Sequence, residues 1–226
     1  MKFLNTIVLA STALAFPTIT GDVKRQIGGR VGSTANEFKQ GGCKEIIFLW
    51  ARGSTEIGNM GTVVGPDVGN NLKSAFQGQV AVQGVDYAAA LSTNFLPGGA
   101  DPDGVRTLKT LLNDATSKCP DAIIVTGGYS QGAAVNHRAI EDLPAAQKDR
   151  IAGVVTFGDT QFRADNGQIP NYPKDNIKII CAENPRDTVC DGNLGAAVLA
   201  PHLSYGRNAK EGADFLIGKI RGVLGS

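Results

Sequence analysis

The 226 residues suffice for one domain with a substantial core, so neither a second domain nor small-scaffold stapling is required. A composition 42% hydrophobic and 19% charged is that of a globular chain, and a formal net charge of +1 gives no electrostatic ground for a nucleic-acid partner. No apolar run reaches the roughly 20 residues of a spanning helix, so integral membrane association is not expected.

Taken in chain order, Lys2, the apolar run Leu4 to Leu14 and the small-x-small triplet Ala13-Leu14-Ala15 predict a signal peptide over residues 1–15 and hence a secreted, extracellular protein. The dibasic pair Lys24-Arg25 suggests a pro-segment over 16–25 that ends before Gln26. Loss of residues 1–25 would take the formal charge from +1 to −1 and leave 26–226 as one folded domain. Residues 26–42, rich in Gly, Ser, Thr and Asn, read as a flexible arm.

Five short apolar or β-branched runs follow, at Ile46–Trp50, Val80–Val82, Ala122–Val125, Gly153–Phe157 and Ile177–Ile180, each bounded by turn residues and each read as a buried strand. Helical spacing of Val105, Leu108, Leu111, Leu112 and Ala115 after Pro102-Asp103, and of Phe215, Leu216, Ile220, Val223 and Leu224, places helices between and after them. Strands alternating with helices predict an α/β fold: a three-layer α/β/α sandwich on a central five-stranded, mostly parallel sheet, because parallel neighbours need crossover connections. Functional groups then belong at the C-terminal ends of the strands.

Cys43, Cys119, Cys181 and Cys190 in a secreted chain predict two disulfides, in any of three pairings. A zinc site is disfavoured because no Cys-x-x-Cys occurs and the only histidines are His137 and His202; no metal and no cofactor are expected.

Gly128-Tyr129-Ser130-Gln131-Gly132 has the form G-x-S-x-G, follows the strand that starts at Ala122 without a gap, and opens a helical stretch at Ala133-Ala134-Val135. That is the setting of a nucleophile elbow, whose sharp turn needs flanking residues without Cβ atoms. A serine hydroxyl needs a base. His137 lies seven residues along the same helix, roughly 10 Å away at about 1.5 Å per residue, which leaves His202 as the base and His137 as a surface or packing residue. Asp187 is the first choice to orient the imidazole: it follows the strand ending at Ile180 and would be held in a short loop if Cys181 pairs with Cys190. Asp159 and Asp191 remain alternatives. The residue after the nucleophile, Gln131, and Ser54 in Arg52-Gly53-Ser54-Thr55 are expected to form the oxyanion hole, although the latter could be a plain turn.

Together Ala51 to Glu56, Gly127 to Ala134, Ile169-Pro170-Asn171-Tyr172-Pro173 and Ala200-Pro201-His202-Leu203 give the chain a resemblance to fungal cutinases from about Gly42 to Leu224. The resemblance implies an α/β-hydrolase fold, the triad Ser130, Asp187 and His202, an oxyanion hole from Ser54 and Gln131, and disulfides Cys43–Cys119 and Cys181–Cys190. It also implies an open site flanked by apolar loops, here Leu91, Phe95 and Leu96 on one side and Val198 and Leu199 on the other, and a monomer. Two departures stand out: a long segment, Ala182 to Arg186, before the acid, and Gly158-Asp159 where some relatives carry a tyrosine after the glycine.

The function expected from the resemblance is hydrolysis of cutin-type polyesters and of short to medium acyl esters through an acyl-enzyme intermediate. An acetyl xylan esterase shares fold and triad and is the near alternative; a secreted surface-active or binding protein with a vestigial site is the distant one.

Overall fold

Why these runs become strands is visible in their burial. The computed structural model describes residues 29–225, so the signal peptide and pro-segment expected over residues 1–25 lie outside the described residues. Every residue of β1 (Ile46–Ala51) is buried, as is every residue of β2 (Val80–Gly84) and β3 (Ile123–Tyr129). β4 (Ile151–Phe157) and β5 (Ile177–Ile180) complete a five-stranded sheet of order β2-β1-β3-β4-β5, in which all four pairings are parallel. Strands covered on both faces read as continuous apolar runs rather than alternating ones.

Among the described residues, seven helices and several 3₁₀ turns connect and cover the sheet: α1 (Glu37–Gly41), α2 (Gly65–Ala75), α3 (Pro102–Lys118), α4 (Gln131–Ile140), α5 (Ala145–Lys148), α6 (Ala200–Leu203) and α7 (Ala209–Leu224). The period of two along β1 divides the core. Ile46, Phe48 and Trp50 face Val64, Val68 and Leu72 around α2 and Ala213, Leu216 and Ile220 of α7, whereas Ile47, Leu49 and Ala51 face Leu108, Leu111 and Leu112 of α3 and Ala134, Val135 and Ala139 of α4. α3 starts where its sequence says: the Asp101 carboxylate accepts from Asp103 N–H at 2.9 Å and Pro102 takes the first helical position, where a missing N–H costs nothing.

Two expectations change and a third narrows to one of its alternatives. The arm over 26–42 is not free where it is described: Val31, Ala35 and Phe38 are buried, and Val31 N–H and Ala35 N–H donate to Asn70 Oδ1 and Asn59 Oδ1. Its polar composition supplies hydrogen-bonding loops rather than disorder. In α7, Val223 and Leu224 are exposed; the buried stripe runs instead through Ala209, Ala213, Leu216 and Ile220. Of the two roles expected for His137, surface or packing, burial selects the second: it is fully buried, hydrogen bonded through Nε2 to Asp159 (3.0 Å) and through Nδ1 to Asp165 (2.6 Å).

Candidate active site

At the C-terminal end of the sheet, four strand-to-loop junctions converge. β3 ends at Tyr129 and passes into α4 through Ser130, whose backbone sits at φ 55° and ψ −118°, a region that costs a residue with a Cβ of order 1–3 kcal/mol. The turn is tied down by Ser130 N–H donating to Phe157 O (2.9 Å) and Ala133 N–H donating to Ser130 O (2.9 Å). It can be this sharp because a Cβ on Gly128 would strike the Gly132 backbone, and one on Gly132 would strike the Ala51 carbonyl at the end of β1.

The serine side chain meets a relay. Ser130 Oγ lies 2.9 Å from His202 Nε2, and His202 Nδ1 lies 2.8 Å from Asp187 Oδ2. All three side chains are buried. Asp187 caps the 3₁₀ turn Thr188–Asp191 by accepting from Val189 N–H through Oδ1 (3.1 Å), inside the loop closed by Cys181–Cys190. Burial opposes its ionisation, but the hydrogen bonds from His202, Tyr205 and Val189 and the attraction of His202 outweigh that, holding the carboxyl below the ordinary value of 3.8. The second disulfide is Cys43–Cys119, joining the start of β1 to the end of α3.

The two other aspartates stand elsewhere. Asp159 is fully buried but spends Oδ2 on His137 and on Thr156 Oγ1 (2.7 Å), and Asp191 pairs with Arg186 (2.7 Å) on the surface. Only Asp187 of the three is hydrogen bonded to His202.

Ser54 follows β1 in a turn built by Arg52 and Glu56. Arg52 Nε donates to Glu56 O (2.7 Å), and the Glu56 carboxylate accepts from the N–H groups of Gly53, Thr62 and Val63 (2.7, 2.7 and 2.8 Å). Asn94 Nδ2 donates to Ser54 Oγ (2.8 Å), and Gln131 Nε2 donates to Ala90 O and Thr93 Oγ1 (3.0 and 2.8 Å). The segment from Ala90 to Asn94 is thus braced against both Ser54 and Gln131. It carries Leu91 and leads into Phe95, which with Leu96, Val198 and Leu199 are exposed rather than packed inward; Phe95 and Val198 are 74% and 78% accessible.

Sequence reasoning missed the residues that hold this frame: Asn94 and Thr93, and two tyrosines around the imidazole. Tyr129 OH donates to the His202 carbonyl oxygen (2.8 Å), and Tyr205 OH donates to Asp187 Oδ2 (2.7 Å). Tyr129 stood inside the quoted G-x-S-x-G and Tyr205 three residues after His202, but nothing local shows where either hydroxyl points. Gly158, at φ 53°, is where an added Cβ would come within 2.7 Å of His202 Cε1 and 2.8 Å of Tyr205 Cε2. Among the described residues, no group of three or more His, Cys, Asp or Glu side chains is placed to hold a metal ion, and no helix is long and apolar enough to cross a membrane.

The Cutinase family model matches residues 42–220. Cutinase CUT2 of Pyricularia oryzae is 47% identical over 218 residues, spanning 96% of this chain and 97% of its own length. A solved Trichoderma reesei cutinase in complex with a C11Y4 phosphonate inhibitor is 30% identical with a TM-score of 0.72, covering 84% of this chain and 81% of that one. A solved acetyl xylan esterase, at 22% identity and a TM-score of 0.62 over 79% of this chain and 99% of its own, shares the fold.

Proposed function

The chain belongs to the cutinase family, and from that premise we propose that Ser130, His202 and Asp187 carry an acyl transfer to water on cutin-type polyesters and on short to medium acyl esters. The observation that carries the reading is the unbroken relay Ser130 Oγ, His202 Nε2, His202 Nδ1, Asp187 Oδ2, beginning at a serine held in a strained turn.

Ser130 Oγ attacks the ester carbonyl as its proton passes to His202 Nε2. The resulting imidazolium keeps its Nδ1–H on the Asp187 carboxylate, which stays ionised and stabilises the cation. Negative charge grows on the carbonyl oxygen, where the backbone N–H of Gln131 and the N–H and hydroxyl of Ser54 act as donors; preorganised donors of this kind are each worth about 10²–10³ in rate. Because Asn94 Nδ2 already occupies a lone pair of Ser54 Oγ, the Ser54 hydroxyl proton is free to turn toward the oxyanion. Collapse of the tetrahedral intermediate breaks the ester C–O bond, and the leaving alkoxide takes the proton from His202. Water then repeats the sequence on the acyl-enzyme, releasing the acid and restoring Ser130.

Exposed Leu91, Phe95, Leu96, Val198 and Leu199 favour an acyl chain or polyester surface over an acetylated sugar, since apolar side chains at the rim gain by leaving water. Two disulfides in the chain support export to an oxidising compartment, with residues 1–15 as the signal and 16–25 as the pro-segment. The mature enzyme acts as a monomer.

The test is hydrolysis of p-nitrophenyl butyrate by the wild type and by Ser130→Ala, with release from cutin or polycaprolactone followed in parallel. The reading requires activity on both substrates, lost by at least about 10³-fold in the variant. Serine-dependent activity that is inert on polyester and active on acetylated xylan would move the substrate to the acetyl-ester class.

A further inference from the structure

Asp187 accepts three hydrogen bonds, and two of them fall on the same oxygen. Val189 N–H reaches Oδ1, while Oδ2 takes both His202 Nδ1–H at 2.8 Å and Tyr205 OH at 2.7 Å. The direction of the tyrosine bond follows from proton counting. A phenol has one proton and accepts through its lone pairs, and Ala182 N–H donates to the Tyr205 oxygen at 3.0 Å. The one phenolic proton is therefore left for the carboxylate. Burial pushes the phenol well above its usual value of 10, and the nearby Asp187 charge pushes it the same way, so the donor stays protonated.

The ring is as fixed as its hydroxyl. Tyr205 is buried, stands edge-on to His202 (6.1 Å between centroids, 90° between planes) and to Phe157 (6.0 Å, 67°), and tilts against Tyr129 (6.0 Å, 60°). The absent Cβ of Gly158 leaves the space that both Tyr205 and His202 enter. The titratable side chains against the imidazole are Asp187, Tyr205 and Tyr129, and the Tyr129 hydroxyl is already committed to the His202 carbonyl.

We propose that Tyr205 is a positioning residue of the hydrolytic reaction: its hydroxyl holds Asp187 Oδ2 in line with His202 Nδ1 and takes up part of the carboxylate's charge, setting how strongly Asp187 stabilises the imidazolium. This rests on the assignment of Ser130, His202 and Asp187 above. Without the phenolic donor, Oδ2 has the imidazole as its single partner. The carboxylate then binds the imidazolium more tightly, which favours protonation of the base in the free enzyme, and it is less well held in rotation.

The experiment is Tyr205→Phe, which removes one oxygen atom and keeps the ring. Rates are expressed per site titrated by a phosphonate ester, so that misfolded protein does not enter. The expected result is a fall in kcat of about tenfold with KM changed less, and a shift of the acidic limb of the kcat/KM profile to higher pH. In an Asp187→Asn background the same substitution should have little further effect, because the group through which Tyr205 acts is already lost. Should Tyr205→Phe fail to fold, 3-fluorotyrosine placed at position 205 alone makes the phenol a stronger donor and is expected to move the limb to lower pH. An unmoved limb with unchanged kcat, or losses that add fully to those of Asp187→Asn, would overturn the proposal. Either result with Ser130→Ala inactive leaves the triad standing; an active Ser130→Ala would remove the triad itself.

Discussion

Ser130, at φ 55°, can hold its conformation only because Gly128 and Gly132 leave room on either side and Phe157 O and Ala133 N–H grip its backbone. At this scale much of the candidate site was legible, since G-x-S-x-G after an apolar run and one histidine out of reach on the same helix leave few assignments. The acid was harder. Asp159 and Asp187 both follow strands, and what separates them is a partner distant in sequence: Asp159 is occupied by His137, 22 residues away, while Asp187 faces His202. Asp187→Asn keeps the shape but offers the imidazole an amide that can present N–H in place of an acceptor. We expect kcat for p-nitrophenyl butyrate to fall by about ten-thousand-fold. Asp159→Asn should leave turnover within about threefold and act on stability instead, as a change remote from the reacting atoms.

At the scale of elements, β1 to β5 follow the apolar runs to within a few residues, because strands covered on both faces read as continuous apolar runs bounded by turn residues, and β5, only part-buried over 177–179, keeps such a run. α2 was not legible. Its Gly65, Gly69, Asn70 and Asn71 are poor helix formers, and it is held instead by Val68 and Leu72, with Val64 just ahead of it, packing on the sheet, and by Gly69 coming close to Val31 and Val82. The described part of the N-terminal arm was misread for a related reason: its partners, Asn59 and Asn70, come 24 and 39 residues later.

His137 joins α4 to the loop after β4 through Asp159 and Asp165, and Arg138 reaches Asp165 as well. Burial alone would lower its pKa, but the two carboxylates raise it to about 9, above the 6.5 of an unperturbed histidine. A histidine raised in the folded state stabilises fully below the unfolded value and loses that contribution as pH rises through the folded one. We therefore expect the wild type to lose on the order of 3 kcal/mol, or roughly 10 °C in Tm, between pH 6.5 and 10. The paired substitution His137→Leu, Asp159→Asn should flatten that alkaline step in a thermal-unfolding series; a step of unchanged size would assign it to other groups.

For the molecule as a whole, the parallel sheet delivers Ser54, Ser130 and Asp187 to one edge, and the segment that follows β5 and its disulfide loop brings His202 back over them. Around that edge the apolar side chains are left in water, with Phe95 and Val198 the most exposed of the five rim residues. If they meet a polymer surface, Phe95→Ser with Val198→Ser forfeits about 1 kcal/mol of contact at each position. The pair should therefore lower release from polycaprolactone roughly thirtyfold more than it lowers hydrolysis of soluble p-nitrophenyl butyrate. Equal losses on the two substrates would place these side chains in the ester site rather than at an adsorbing rim. The resemblance implied apolar loops at the site, but which way Leu91 and Phe95 face depends on the bracing of Ala90 and Thr93 by Gln131, a contact across some 40 residues.

The central claim is that Ser130 is the nucleophile, and its most direct measurement is covalent capture. The protein is incubated with an alkyl phosphonate ester, its intact mass is recorded, and the adduct is mapped by peptide sequencing. One phosphonyl group per chain is expected, on Ser130, formed at a rate that Asp187→Asn slows and Ser130→Ala abolishes. No adduct, or an adduct on another residue that survives Ser130→Ala, would contradict it.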